Sequence, residues 1–472
     1  MTHLEVIIED ILNNPCCQHG PTVLFHKTDQ NNATIEKYYA CTASRDGKCT
    51  FKLNATKSGT CNQNKKTSEK RRDEYDKVRL APVSQKVYCV QCQQLLLQSN
   101  VEDHKSHKLL EKLSDDILRQ PTRFLAPLSV DGNEAQYFFS DSTLACMENM
   151  LKQLNITKVI CIGAPRFHEH LLVNANIKSI LLDIDRRFHW FFDISEYLYY
   201  NMFNHFFFDG EEAEDIFKEY LNVNESADRL CIVTDPPFGC RTELLSYTIK
   251  RINQTYNGVN KVIQQILPTF WIFPYFMETY IRKEMPSMEM SDYHVNYTNH
   301  RTYHSGEKGL KHGSPVRLFT NVSLDNFQLP AKEGYRWCVE CQKSVHKTNK
   351  HCRICKKCPS KNGATYRHCT KCNWCVKPNY AHCTPCGRCT QVQGHKCWSY
   401  RKQLCCRICM HKGHGERDCT FWRVFKNRKS EKSGCIVCGN KQHTVADCDE
   451  RKRIIDEKYF LGEYYNAINC VQ

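Results

Sequence analysis

Three short apolar runs lie between residues 150 and 240, and each ends in residues with chemistry of their own. "KVICIG", Lys158 to Gly163, has the pattern of a buried strand ending in glycine, where a turn brings backbone close to a ligand. "SILLDID", Ser179 to Asp185, is a second apolar strand and closes on Asp183 and Asp185. Leu230 to Thr234 is a third, running into "DPPF", the residues Asp235, Pro236, Pro237 and Phe238. Strand and helix signals alternate over residues 116–330, as in an α/β domain. The acids follow the glycine by about 20 residues, the separation at which nucleotide-binding α/β folds set a carboxylate on ribose hydroxyls. That combination points to an adenosine-containing cofactor; the plain alternative is a set of core strands with solvated ends. The longest strongly apolar stretch, "ILPTFWIFPYFM" from Ile266 to Met277, carries two prolines and is too short to span a bilayer, so no membrane anchor is expected.

On both sides of this region aliphatic residues thin out and cysteine and histidine take over. The chain has 472 residues, enough for two to four domains, and 41% hydrophobic content fills at least one core. A net charge of +15 favours a polyanionic partner such as nucleic acid, against the plainer reading of a soluble basic surface. The polar start "MTHLEVIIED" has no signal-peptide pattern, so a reducing compartment is expected. There the 31 cysteines, mostly in CxxC pairs with nearby histidines, serve as metal ligands rather than cross-links.

Ligand spacing divides these residues into sets of four. Cys89, Cys92, His104 and His107 form a C2H2-like finger over residues 84–112. Cys17, His19, Cys41 and Cys49 offer an earlier set over residues 10–60, with Cys16 or Cys61 as possible substitutes. Around them "HGPTVLF", "YYAC" and "CTF" resemble the GRF-type zinc finger, a small β-rich module of nucleic-acid enzymes. Residues 335–403 hold a threefold HCxxCxxC repeat whose ligands can be shared in overlapping fours. These are Cys338, Cys341, His351 and Cys358; Cys352, Cys355, His368 and Cys375; Cys369, Cys372, His382 and Cys389; and Cys383, Cys386, His395 and Cys397, with Cys405 as a substitute in the last. The repeat resembles the cysteine-rich domain of DHHC palmitoyltransferases, but "YRHC" lacks the leading acid, so Cys369 is better placed on zinc than as an acyl nucleophile.

Residues 404–450 hold two CxxCx4Hx4C knuckles: Cys406, Cys409, His414 and Cys419, then Cys435, Cys438, His443 and Cys448. Such knuckles present clefts to unpaired bases, and basic flanks such as "RVFKNRKSEK" favour that use over protein binding. With every set filled, the chain carries about eight structural zinc ions.

The DPPF stretch then has a chemical reading. The Asp235 carboxylate and the Pro236 carbonyl can accept both hydrogens of a planar exocyclic amine, paired prolines stiffen the turn, and Phe238 can stack on the base. The nitrogen lone pair is then left for an electrophilic methyl group; the bland reading of a lone DPPF is a tight turn.

These residues look like the amino-methyltransferase motif. The order of GRF finger, C2H2-like finger, DPPF domain, cysteine-rich array and knuckle resembles the zinc-finger CCHC-domain-containing ribosomal RNA adenine-N6 methyltransferases over nearly the whole chain. The resemblance implies a class I Rossmann-like α/β methyltransferase core flanked by small zinc modules. It implies S-adenosylmethionine as cofactor, one adenosine of large-subunit ribosomal RNA as substrate, and a nucleolar and cytoplasmic location. "GAPRFHEHL" and "YNMFNHFFFDG" match its cofactor segments and implicate Arg166, Phe167, His168, Glu169, Asn204 and His205, together with Gln136, Gly163, Asp183, Asp185 and Asp235. The second knuckle departs from the single one of that family. A non-catalytic RNA adaptor, or a methyltransferase for protein or DNA amino groups, are the alternatives.

Overall fold

The computed structural model describes residues 3–9, 11–29, 33–42, 49–55, 66–128, 136–223, 228–300, 314–360, 365–384, 386–393 and 395, with three single positions at 442, 448 and 449. Both predicted knuckles lie outside the described residues except for Cys448. The chain forms two compact units: Met1–His351 with Ser360–Ala364, and Cys352–Pro359 with Thr365–Gln472.

The first unit is built on an eight-stranded sheet. Its strands are β1 (Lys158–Ile162), β2 (Lys178–Asp183), β3 (Tyr197–Asn201), β4 (Phe206–Phe207), β5 (Leu230–Thr234), β6 (Thr269–Pro274), β7 (Glu289–His294) and β8 (Val316–Thr320). The order across the sheet is β4-β3-β2-β1-β5-β6-β8-β7. Strands β3, β2, β1, β5 and β6 are parallel, and β8 runs antiparallel between β6 and β7. The three apolar runs of the sequence are β1, β2 and β5, side by side at the centre, where both faces are covered and alternation is not required. The apolar stretch at Ile266–Met277 supplies β6, every residue of which is buried.

Helices cover both faces. Helix α1 (Asp141–Gln153) starts at Ser140, whose side chain accepts from the Thr143 amide, and buries Leu144, Met147 and Leu151 at helical spacing. Helix α2 (Pro165–Asn174) takes Pro165 in its first turn and buries Phe167 and Leu171 four residues apart. Helix α3 (Glu211–Leu221) and helix α4 (Thr242–Asn260) pack on the opposite face, α4 through Leu245, Ile249 and Ile252. Among the described residues no helix is long and apolar enough to cross a membrane.

Two modules pack onto this core within the same unit. Residues 3–54 form a four-stranded antiparallel sheet, and residues 86–110 a three-stranded one. The hairpin Tyr335–Cys338 with Lys343–His346, which the spacing grouped with the cysteine-rich repeat, belongs to this unit as well. It is fastened to β7: the His294 amide donates to the Tyr335 hydroxyl (2.8 Å) and the His346 amide to Asp292 (2.7 Å).

Candidate active site

From β1 the chain moves outward to β2 and β3, then returns to β5 on the other side of β1, so the carboxyl ends of β1 and β5 flank a topological switch point. The backbone stitches these ends together. Gly163 donates its amide to Leu182 (3.0 Å), and Asp235 donates its amide to Ile162 (3.1 Å). Gly163 sits at φ +64°, and a Cβ there would lie 3.1 Å from the Asp235 carbonyl oxygen and 2.6 Å from Met202 Cε. The left-handed backbone and the crowding a side chain would cause against Asp235 and Met202 both favour glycine here.

At the end of β5 the Asp235 carboxyl accepts a hydrogen bond from the Tyr297 hydroxyl (2.8 Å). Burial pushes its pKa well above the usual carboxylate range, and the Tyr297 bond works against that shift. The Pro237 carbonyl closes the turn by accepting from the Cys240 amide (2.9 Å), which leaves Asp235 and Pro236 as the acceptors at the strand end.

Phe238 stands in an aromatic group. Its ring lies 5.6 Å from Tyr137 at 24° between planes, 6.4 Å from His300 at 28°, and 6.1 Å from Tyr297 at 67°. Tyr137 also stacks on His300 at 4.3 Å. Tyr137, Tyr297 and His300 were not among the residues singled out from sequence. They reach the site through pairing distant in the chain, since Phe139 bridges to Tyr297 and the Phe138 amide donates to Asn299. The one sequence signal for Tyr137 is its place next to Gln136.

The two acids after β2 divide their work. Asp185 is clamped by Arg187, whose Nε and Nη2 donate to its two oxygens at 2.8 and 2.6 Å, and Gln136 Nε2 approaches at 3.4 Å. Asp183 is buried at the strand end, accepts the Asp185 amide (2.9 Å), and has its pKa pushed up to about 7, by burial first and by the Asp185 charge second. Were Asp183 to take the ribose diol of an adenosine cofactor, as the sequence pattern leads one to expect, it would do so as the carboxylate, and binding would release a proton below pH 7. Affinity for S-adenosylhomocysteine should therefore rise severalfold between about pH 6 and pH 8. In Asp183→Asn that dependence should vanish, and calorimetry across this range checks it.

Of the remaining residues matched to the cofactor segments, several have side chains engaged inside the protein. Phe167 is fully buried in the hydrophobic core. His168 bonds to Ser179 (2.8 Å), with burial pushing its pKa down to about 3. Glu169 accepts from the amide and hydroxyl of Thr122 (2.9 and 2.5 Å), and burial pushes it up to about 8. Asn204 donates to the carbonyls of His19 and Pro21 in the N-terminal module, and His205 bonds to Tyr200 (2.6 Å). Arg166, in the first turn of α2, reaches Thr298 (3.4 Å). These side chains tie together the elements around the ends of β1, β2 and β3.

The predicted metal sets draw together. Cys17, His19, Cys41 and Cys49 bring their ligand atoms within 4.8 Å of one another, and so do Cys89, Cys92, His104 and His107. In the second unit the sets at Cys352, Cys355, His368 and Cys375 and at Cys369, Cys372, His382 and Cys389 do the same. Zinc with thiolate and imidazole ligands makes tetrahedron edges of about 3.3–3.8 Å. The separations match: Cys89 to His107 is 3.3 Å, Cys92 to His104 3.3 Å, Cys375 to Cys355 3.7 Å and Cys372 to Cys389 3.8 Å. In the first unit Cys338 and Cys341 lie 3.6 and 3.2 Å from His351, and in the second Cys386 lies 3.2 Å from His395. Cys397 and Cys405 lie outside the described residues.

A feature not foreseen from sequence joins these sites. Among the described residues, the one after the second cysteine of the leading CxxC in five sets is left-handed: Gln93, Gln342, Lys356, Asn373 and Gly387, with φ from 50° to 63°. Four of the five are not glycine, so these turns hold a conformation that costs about 1 kcal/mol or more on its own, at sites whose ligand atoms could hold a metal ion.

The strand order, the glycine beside Asp235 and the buried acid at the end of β2 define a class I methyltransferase core of the amino-methylating kind. A family model described as "Probable N6-adenine methyltransferase" matches residues 130–323. The rRNA N(6)-adenosine-methyltransferase ZCCHC4 of Xenopus laevis is 38% identical over 356 residues, covering 71% of this chain and 72% of the relative. The Homo sapiens protein of that name is 38% identical over 365 residues, covering 72% and 70%. The chain belongs to the ZCCHC4 family of N6-adenosine methyltransferases.

Proposed function

We propose that this protein methylates the N6 amine of an adenosine in large-subunit ribosomal RNA, with S-adenosylmethionine as methyl donor and zinc as a structural element. The observation that carries the reading is Asp235, held by Tyr297 at the switch point beside Gly163, with Phe238 and Tyr137 nearly parallel above the turn. When bound, S-adenosylmethionine supplies a methyl carbon made electrophilic by its sulfonium.

Asp235 and the Pro236 carbonyl accept the two N–H bonds of the adenine amine, which aims the nitrogen lone pair at the methyl carbon. With the methyl group taken up, the amine would have one proton to shed. In its ionised form the Asp235 carboxylate, made more basic by burial, would accept that proton. Phe238 and Tyr137 offer ring faces to a base that has left its stack. The chain's net charge of +15 and its Cys/His modules favour RNA as the polyanion that carries the target adenosine.

Labelled-methyl transfer to fractionated RNA, matched DNA and RNA-free cell extract tests the acceptor class. Label in large-subunit RNA alone is expected; label confined to DNA or protein overturns the reading. In the same assay Phe238→Ala should raise KM for RNA by roughly tenfold, the loss of one base–aromatic stack. Unchanged turnover at limiting RNA would show that Phe238 only packs the turn.

A further inference from the structure

The second finger reaches toward the acids at the end of β2 through Gln93. Gln93 follows Cys92, the second cysteine of the finger's CxxC turn, and is left-handed at φ 54°. Its amide nitrogen donates to the Val90 carbonyl inside the turn, at 2.5 Å. Gln342 occupies the same place in the CxxC turn at Cys338, with φ 50°, and its amide nitrogen likewise donates to Val339, at 2.7 Å. That bond is the local work of a glutamine at this position.

Gln93 does something more with its other half. Its carbonyl oxygen accepts from Arg187 Nη1 (2.9 Å) and from the Ala126 amide (2.9 Å), and Arg187 Nη1 also donates to the Ala126 carbonyl (2.8 Å). Held on that side, the guanidinium turns its remaining edge to Asp185, with Nε at 2.8 and 3.1 Å and Nη2 at 2.6 Å, and to Gln136 at 3.4 Å. Asp185 in turn donates its amide to Asp183. A planar fork fixed at both ends has one orientation, whereas a guanidinium bonded only to the carboxylate can swing with it.

We propose that Gln93 and Arg187 are positioning residues for the cofactor, so that the metal-organised turn of the second finger sets the geometry of the acids that receive the adenosine ribose. The inference rests on the methyltransferase reading above and adds a role for the finger in cofactor binding, apart from any contact with RNA. Of the chain's CxxC glutamines, Gln342 makes the same turn bond on the Cys338 hairpin, so it isolates the local contribution.

The test measures S-adenosylhomocysteine binding by calorimetry on the full chain with its zinc content verified. Gln93→Ala should weaken binding by roughly tenfold, as expected for a lost hydrogen bond to a charged group. Gln342→Ala should leave binding unchanged. Gln93→Glu keeps an acceptor for Arg187 while losing the Val90 bond, and should bind within about twofold of the parent protein. In turnover, Gln93→Ala should raise KM for S-adenosylmethionine with kcat at saturation retained. Parent-like binding by Gln93→Ala, an equal loss in Gln342→Ala, or no rescue by Gln93→Glu overturns the proposal. A parent protein that binds no S-adenosylhomocysteine overturns the methyltransferase reading itself.

Discussion

Asp235→Ala should lower methyl transfer by roughly 10³-fold or more while leaving S-adenosylhomocysteine affinity within a few fold of the parent protein. The carboxyl faces the adenine amine in the proposed site and lies across Gly163 from the acids assigned to the ribose, so its loss removes substrate positioning and little else. Two acceptors hold the amine, and without Asp235 the nitrogen is free to rotate its lone pair back into the ring. The variant also removes a buried acid whose charged form burial disfavours, which argues against a large loss of stability. Asp235→Asn preserves the volume but presents a donor as well as an acceptor, and should be similarly inactive. Robust turnover by either folded variant would remove Asp235 from the mechanism.

Zinc removal should unfold the second unit and leave the sheet of the first intact. Among the described residues of the second unit no aliphatic or aromatic side chain is buried, and Ile354, Trp374 and Val392 are exposed at 64%, 55% and 61%. Its hairpins, Arg367–Cys369 with Trp374–Val376 and Tyr380–Cys383 with Arg388–Gln391, are two-stranded and too small to stand alone. Zinc held by the Cys/His sets would take the place of a core there, each structural site supplying on the order of 10 kcal/mol. The sheet of the first unit instead rests on large apolar clusters on both faces. After chelation, limited proteolysis with mass mapping should show cleavage within residues 352–395 while peptides spanning β1 to β8 stay protected. Full protection of 352–395 after metal analysis shows the zinc gone would contradict this account. Before chelation, metal analysis should return about eight zinc ions per chain.

What could be read from sequence was local. Cysteine and histidine spacing is set by the reach of a short turn around one ion, so the sets at Cys89, Cys352 and Cys369 assemble as their spacing predicts. The apolar runs at Lys158, Ser179 and Leu230 are central parallel strands, and such strands announce themselves as uninterrupted hydrophobic segments.

What escaped the sequence is contact between distant residues. Tyr297 is 62 positions from Asp235 and Arg187 is 94 from Gln93, and no periodicity joins either pair. The stretches matched to the cofactor segments illustrate the same limit at single-residue scale. Phe167 and Leu171 share a helix face at i and i+4, a spacing that signals burial against the core and not exposure to a ligand. Asn204 fastens the N-terminal module through His19 and Pro21, a role that depends on residues 185 and 183 positions earlier in the chain. The left-handed residues Gln93, Gln342, Lys356, Asn373 and Gly387 were also hidden, because only Gly387 among them is a glycine.

The central claim is that the reacting atom is the exocyclic amine of adenine, and nucleoside analysis of the methylated product tests it most directly. Large-subunit ribosomal RNA lacking the modification, incubated with the protein and labelled S-adenosylmethionine, is digested to nucleosides and resolved by mass spectrometry. The account predicts label in N6-methyladenosine, absent when Asp235→Ala replaces the parent protein. Label in a ring-nitrogen-methylated adenosine, in a methylated guanosine or on a ribose hydroxyl would contradict it.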